Sequence, residues 1–314
     1  RWIGAMTEWQ WHRIETACGL VDVPGFRVSG VHCDVRRTGD PRLDLGIVHS
    51  DRPCVAAGVF TRNRVKAAPV VLCMERLERT RAVHGIVANS GNANACTGAE
   101  GMRDARTMAD DAEKATCSPK GSFLVASTGR IGRALPMEQV CRGIGEAAGA
   151  MGADASHGRD FAKSILTSDT AVKMASAVVA DGGGNEVTIA GVAKGAGMIR
   201  PDMATMLAFI TTDLDATQAD LQTLLIGAVD PTFNSITVDG DMSTNDTVIA
   251  LANGASGLKR RELPHEFHQA YQAALEWVCE RLARAIVGDG EKISKVVTLR
   301  ITGAASAADA RQVA

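Results

Sequence analysis

Lys194-Gly-Ala-Gly-Met-Ile-Arg-Pro-Asp-Met-Ala-Thr-Met-Leu-Ala-Phe209 is the stretch on which the fold and chemistry of this 314-residue chain turn. A glycine-rich turn runs into the pair Ala204-Thr205, which opens the near-continuous apolar run Thr205–Thr212. Such a run predicts a strand buried on both faces. A threonine inside a chain is a poor nucleophile, because nothing beside it takes its proton. If the bond before Thr205 breaks, the residue gains an α-amine whose pKa of about 8 lets it serve as a general base. Threonine activated by its own amine is a recognised nucleophile. An arbitrary Ala-Thr pair is nearly always just a loop entering a core strand, so the rest of the chain has to decide.

The bulk composition narrows the classes. With 46% apolar residues the chain can bury a large core. Its 34 basic and 36 acidic residues leave a formal net charge of −2, which argues against nucleic-acid binding. No apolar run reaches about 18 residues, so no membrane span is expected. Eight cysteines and seven histidines are dispersed without zinc spacing, which predicts no metal site and reduced thiols in a cytoplasmic protein. The segment Arg1–Arg13 lacks the apolar centre of a signal peptide. Because the chain opens on Arg1, upstream residues are expected, with Met6 the other candidate start.

Periodicity predicts strands at Leu45–His49, Val55–Phe60, Pro69–Cys73, Gly85–Asn89 and Phe123–Ala126. Ala175–Ala180 and Glu186–Ala190 flank Asp181-Gly-Gly-Gly-Asn185 as a hairpin. Further strands are expected at Asn234–Asp239, Thr247–Ala252 and Lys295–Thr302. Helices are predicted over Met102–Thr116, Met137–Ala150, Gln218–Val229 and Pro264–Ile286. The last would face inward through Phe267, Tyr271, Leu275, Val278, Leu282 and Ile286. Strands and helices intermix throughout, which makes this an α/β or α+β layered fold.

Three polar stretches compete for a role at a site. Asn89-Ser-Gly-Asn-Ala-Asn-Ala-Cys-Thr-Gly98 lies between a strand and a helix, and reads equally well as a turn or as a site wall. It is no dinucleotide fingerprint. Ser127-Thr-Gly-Arg-Ile-Gly132 offers a hydroxyl and a glycine amide that can aim at one oxygen, as an acyl-transfer intermediate requires. In isolation, though, it is a common turn. Thr237-Val-Asp-Gly-Asp-Met-Ser-Thr-Asn-Asp-Thr247 imitates a calcium loop but lacks the glycine at position six and the distal glutamate. A bracing turn network fits it better. Glu291, after the long helix, would by itself be solvated surface.

Taken together, these stretches and Val59-Phe-Thr-Arg-Asn-Arg-Val-Lys-Ala-Ala-Pro69 resemble, in order, the ornithine acetyltransferase (glutamate N-acetyltransferase) family of arginine biosynthesis. The resemblance implies an α+β layered sandwich, with sheets packed face to face and helices outside. It implies self-cleavage between Ala204 and Thr205, giving an α fragment (1–204) and a β fragment (205–314) that together form one catalytic unit. Thr205 would carry acetyl from N-acetylornithine as an ester and pass it to glutamate. Thr128 and Gly129 would form the oxyanion hole, and Thr167, Lys194 and Glu291 would bind substrate. Glu291 suits the ornithine cation, and Lys194 a carboxylate. No cofactor is implied, although acetyl-CoA is an alternative donor. The assembly expected is a homo-oligomer of processed heterodimers.

The chain also departs from the family pattern. Members usually continue past the position of Ala314, the familiar Lys-Gly-Ser-Gly-Met is Lys194-Gly-Ala-Gly-Met198, and Thr-Thr-Asp-Thr is Thr167-Ser-Asp-Thr170. Two other readings keep the same residues: a self-processed amidohydrolase or aminopeptidase with water as acceptor, and a non-catalytic remnant.

Overall fold

The computed structural model describes residues 8–79, 82–200, 206–306, 309–310 and 313. Among these residues nine strands occur in the order β1 (Gln10–Arg13), β2 (Phe26–Val31), β3 (Leu45–Phe60), β4 (Val83–Asn89), β5 (Phe123–Ser127), β6 (Lys173–Ala180), β7 (Glu186–Lys194), β8 (Leu207–Thr212) and β9 (Thr247–Ala252). The α-helices are α1 (Ala68–Arg79), α2 (Gly98–Ala115), α3 (Met137–Gly149), α4 (Ala155–Ser164), α5 (Gln218–Val229) and α6 (His265–Gly288).

Strand β3 is long because it serves two sheets. Its second half, Val55–Phe60, pairs with β9 at one end of the array β1-β6-β7-β8-β9-β3. Its first half pairs with β2 and β4, and β4 pairs in parallel with β5. A register irregularity between His49 and Cys54 marks the bend, the usual effect of a bulge in a strand that changes sheet. The two runs expected as separate strands, Leu45–His49 and Val55–Phe60, are therefore one element.

Alternation along the strands makes four layers. Val48, Ile86, Ala88, Leu124 and Ala126 from one sheet and Ala190, Val192, Leu207, Phe209, Ile249 and Leu251 from the other share one buried cluster between the sheets. The opposite residues of the larger sheet, Val187, Ile189, Ala208, Ile210, Val248 and Ala250, pack with Leu221, Leu225, Tyr271, Leu275, Val278 and Leu282 of α5 and α6. Ile47, Val87, Phe123 and Val125 of the smaller sheet face Ala105, Met108, Val140 and Ile144 of α2 and α3. This is the helix-sheet-sheet-helix sandwich that the sequence leads one to expect. All six residues predicted for the inner face of α6 are buried, each worth about 2 kcal/mol of apolar burial.

Three predicted strands are different. Pro69–Cys73 lies in α1, where proline is tolerated because first-turn amides have no helical partner. Pro69, Val70, Leu72 and Cys73 are buried at helical spacing; a short apolar run does not discriminate the two periods. Asn234–Asp239 begins in a 3-10 turn, Phe233–Ser235, and continues without ladder pairing among the described residues. Lys295–Thr302 forms no regular element, and Val296, Val297 and Leu299 are exposed. Alternation alone makes no strand without a neighbour to pair with. The Asp181–Asn185 hairpin is present: Ala180 pairs with Glu186, and the Asp181 carboxylate accepts the Gly183 and Asn185 amides.

Strands from both sides of the Ala204-Thr205 bond interleave. β8 lies between β7 and β9, and β9 lies against β3. The register sets Leu207 opposite both Lys194 and Thr247, so the start of β8 faces the ends of the loops that build the site.

Candidate active site

Ala204 and Thr205 lie outside the described residues. Next in the chain, Met206 is buried; its amide donates to Asp246 Oδ1 at 3.1 Å, and its carbonyl accepts the Thr247 amide at 3.1 Å. At this end of the sandwich is a cavity of about 300 Å³ whose wall includes Thr128, Gly129, Thr167, Lys194 and Glu291. Every described residue expected at the site lines it. They come from four separate segments of sequence, so only the fold brings them together.

Gly129 follows β5 with φ of +132°, and a Cβ there would lie 2.3 Å from the Gly91 carbonyl carbon and 2.6 Å from Asn92 N. Both obstacles are backbone, so only glycine fits. The turn is held by bonds from the Thr128 amide to the Asn89 carbonyl and from the Arg130 amide to the Gly91 carbonyl. Among the described residues the Gly129 amide donates to nothing. The Thr128 hydroxyl accepts from Lys194 Nζ at 3.2 Å and likewise has no acceptor of its own there. Two donors at the wall of one cavity are the geometry that stabilises an oxyanion.

The Asn89–Gly98 stretch is both turn and wall. Asn89 Oδ1 accepts the Ser127 hydroxyl at 2.7 Å, and Asn92 Nδ2 donates to the carbonyls of Arg133 and Ala134. Asn94 and Cys96 take positive φ. This internal network ties the Thr128-Gly129 turn down from behind.

Lys194, at the end of β7, is buried. Besides Thr128, its ammonium donates to Thr167 Oγ1 at 2.8 Å and stands 4.0 Å from Asp169. Burial lowers its pKa, with Asp169 opposing. Burial also pushes Asp169 upward, but Lys194 and Lys173 outweigh it and hold that carboxyl at about 2. On the far side, the Glu291 amide donates to the Ala196 carbonyl, and its exposed carboxylate sits over Gly197. A Cβ on Gly197 would come within 3.0 Å of that carboxylate, so the glycine makes room for it.

Sequence reasoning expected a bracing network in Thr237–Thr247 but did not name its partners. Asn245 Nδ2 clamps the carbonyls of Ala93 and Ser127 at 2.6 and 2.9 Å. Asp239 accepts the amides of Met198 and Ile199 at 2.6 and 2.9 Å. The residues that imitate a calcium loop thus brace neighbouring backbone. Asp246 is fully buried and its pKa is raised well above the usual carboxylate range by that burial, while its Oδ2 has no partner among the described residues. Their signal was the density of hydroxyls and carboxylates in Thr237–Thr247, which locates a network but names no partner.

The sandwich is of the Ntn hydrolase fold class. The L-aminopeptidase D-Ala-esterase/amidase of Ochrobactrum anthropi, a variant of the Ntn hydrolase fold, superposes with a TM-score of 0.53 over 91% of this chain and 90% of its own; at 15% identity it shares the fold alone. The family is narrower: residues 27–314 match the ArgJ family, and the chain belongs to it. It is 47% identical over 302 residues to the arginine biosynthesis bifunctional protein ArgJ of Symbiobacterium thermophilum, covering 96% of this chain and 74% of that protein. The crystal structure of ornithine acetyltransferase from Mycobacterium tuberculosis, complexed with ornithine, shares 31% identity and superposes with a TM-score of 0.55, covering 61% of this chain and 98% of that chain.

Proposed function

We propose that this protein transfers acetyl from N-acetylornithine to glutamate in arginine biosynthesis, through an acetyl ester on Thr205. The carrying observation is the convergence of Thr128, Gly129, Thr167, Lys194 and Glu291 on one cavity. Membership of the ArgJ family supports the acetyl-transfer reading.

The cycle follows from the groups present. Thr205 Oγ attacks the acetyl carbonyl while its α-amine takes the hydroxyl proton. The oxyanion lies between the Thr128 hydroxyl and the Gly129 amide, and losing one such donor typically costs about 3 kcal/mol. On collapse the C–N bond breaks, and ornithine leaves with the proton held by the amine. Glutamate's amine then attacks the ester, releasing N-acetylglutamate and restoring Thr205. Glu291 meets the ornithine side-chain cation at the rim of the cavity. The cycle needs no cofactor, and acetyl-CoA would be a second donor to the same hydroxyl.

Self-cleavage before Thr205 supplies the amine. Its products, 1–204 and 205–314, would stay assembled, since β8 lies between β7 and β9 and β9 pairs with β3. The solved ornithine acetyltransferase chain, matched almost to its full extent, is about as long as the segment ending at Ala204, which supports the same division. We place the processed heterodimers in a homo-oligomer in the cytoplasm; no described helix is long and apolar enough to cross a membrane.

Intact mass and an acetyl-transfer assay test this reading. Wild-type protein should split before Thr205 and form N-acetylglutamate, whereas Thr205→Ala should remain one species and form none. Equal transfer by both proteins would show that the nucleophile lies elsewhere. Hydrolysis without transfer to glutamate would favour the amidohydrolase reading.

A further inference from the structure

Behind the cavity wall runs a row of four charges: Lys194, Asp169, Lys173 and Asp289. The Asp169 side chain is wholly buried; its Oδ1 accepts the Gly195 amide at 2.6 Å and Lys173 Nζ at 2.7 Å, and its Oδ2 accepts the Thr167 amide at 3.1 Å. The Thr167 hydroxyl approaches the same Oδ2 at 3.5 Å. Lys173, also buried, reaches Asp289 Oδ2 at 2.6 Å and the Ala171 carbonyl at 3.2 Å. Asp289 further accepts the amides of Thr170 and Ala171 and the Thr170 hydroxyl. It stands at the end of α6, two residues before Glu291. Asp169, Lys173 and Asp289 do not line the cavity.

Burying charges is costly, and a buried ion pair is weak evidence for stability, since apolar replacements are often neutral or better. The geometry around Lys194 gives this row a use. Asp169 draws the ammonium from 4.0 Å without capturing it in a close bond, leaving two of its donors for Thr128 and Thr167. A hydroxyl that accepts from a lysine keeps its own proton for another partner. For Thr128 that proton has no acceptor among the described residues, and the hydroxyl lines the cavity beside the unpartnered Gly129 amide.

We propose that Asp169 is a positioning residue for acetyl transfer, holding Lys194 where it turns the Thr128 hydroxyl into an oxyanion donor, with Lys173 and Asp289 anchoring Asp169. The proposal rests on the acetyl-transfer reading of the site. It gives Lys194 a task different from meeting a substrate carboxylate, and the two tasks separate in kinetics.

The test compares wild type, Asp169→Asn and Asp289→Asn with N-acetylornithine and glutamate, and with p-nitrophenyl acetate. The activated ester acylates the nucleophile whatever the natural donor is. For Asp169→Asn, kcat should fall by about 10- to 100-fold, short of outright donor loss, while KM stays within about threefold. Asp289→Asn, two links away, should lower kcat in the same sense by less, and it decides the matter if Asp169→Asn does not fold. A raised KM with unchanged kcat would assign Lys194 to substrate binding and overturn the proposal. So would a lowered melting temperature with wild-type turnover. Wild type that turns over the ester but not N-acetylornithine would sink the acetyl-transfer reading alone, leaving the variants' ester rates to judge Asp169.

Discussion

Gly129→Ala is the sharpest perturbation of this site. The added methyl would sit 2.3 Å from the Gly91 carbonyl carbon and 2.6 Å from Asn92 N, at φ of +132°. Both neighbours are backbone, held by the Asn89, Asn92 and Asn245 side-chain bonds, so no rotamer change relieves the clash. Overpacking of this kind costs about 1–3 kcal/mol, and an L-residue in that backbone region about as much again. Together they predict a loss of about 4 kcal/mol and a melting temperature lower by roughly 6 °C. Any relaxation moves the Gly129 amide by about 1 Å, enough to cost about 100-fold in kcat. Gly132→Ala is the matched control, because Gly132 also has positive φ but nothing within 4 Å of its would-be Cβ. It should lose only about 1 kcal/mol and keep its kcat. Melting followed by circular dichroism, with acetyl-transfer rates on the same samples, reads both effects. Gly129→Ala protein that melts with wild type, or melts lower yet turns over normally, would refute the oxyanion assignment or the packing behind it.

Other expectations concern buried charge. Asp169, held at about 2 against an ordinary 3.8, has a depressed folded-state pKa. Its contribution is therefore present above about pH 4 and lost as pH falls through about 2. That contribution is on the order of 2 kcal/mol, and urea unfolding should show it as a gap between wild type and Asp169→Asn that closes toward pH 2. Asp246 is the opposite case: a raised folded-state pKa favours the folded state at low pH and weighs against it as pH rises. Asp246→Asn should therefore gain stability relative to wild type between pH 4 and 8; a gap that does not change over that range would contradict a proton-holding carboxyl. Arg76 reaches Glu113 at 2.7 Å where both side chains are largely buried. Arg76→Met should cost about 3 kcal/mol in urea unfolding by leaving Glu113 without its cation, and a loss below about 0.5 kcal/mol would mean that the backbone amides of Gly121 and Phe123 suffice.

The local determinants of this protein were readable from residue order alone. Six apolar residues at helical spacing wrote the inner face of α6, and the Asp181–Asn185 turn joined β6 to β7, because both depend on neighbours a few positions away. The family resemblance placed Thr128, Gly129, Thr167, Lys194 and Glu291 at a site, and all five line one cavity. What stood outside sequence reasoning was decided by contacts across more distant parts of the chain. Pro69–Cys73 became helix because its apolar residues pack at three- and four-residue steps, and Lys295–Thr302 found no neighbouring strand. Asp169, Asn245 and Asp246 lay in stretches that read as bracing turns, with no partners named. Only the folded sandwich sets Asp169 between two lysines, Asn245 across two carbonyls and Asp246 under the Met206 amide, out of water, where a charge or a hydrogen bond has large consequences.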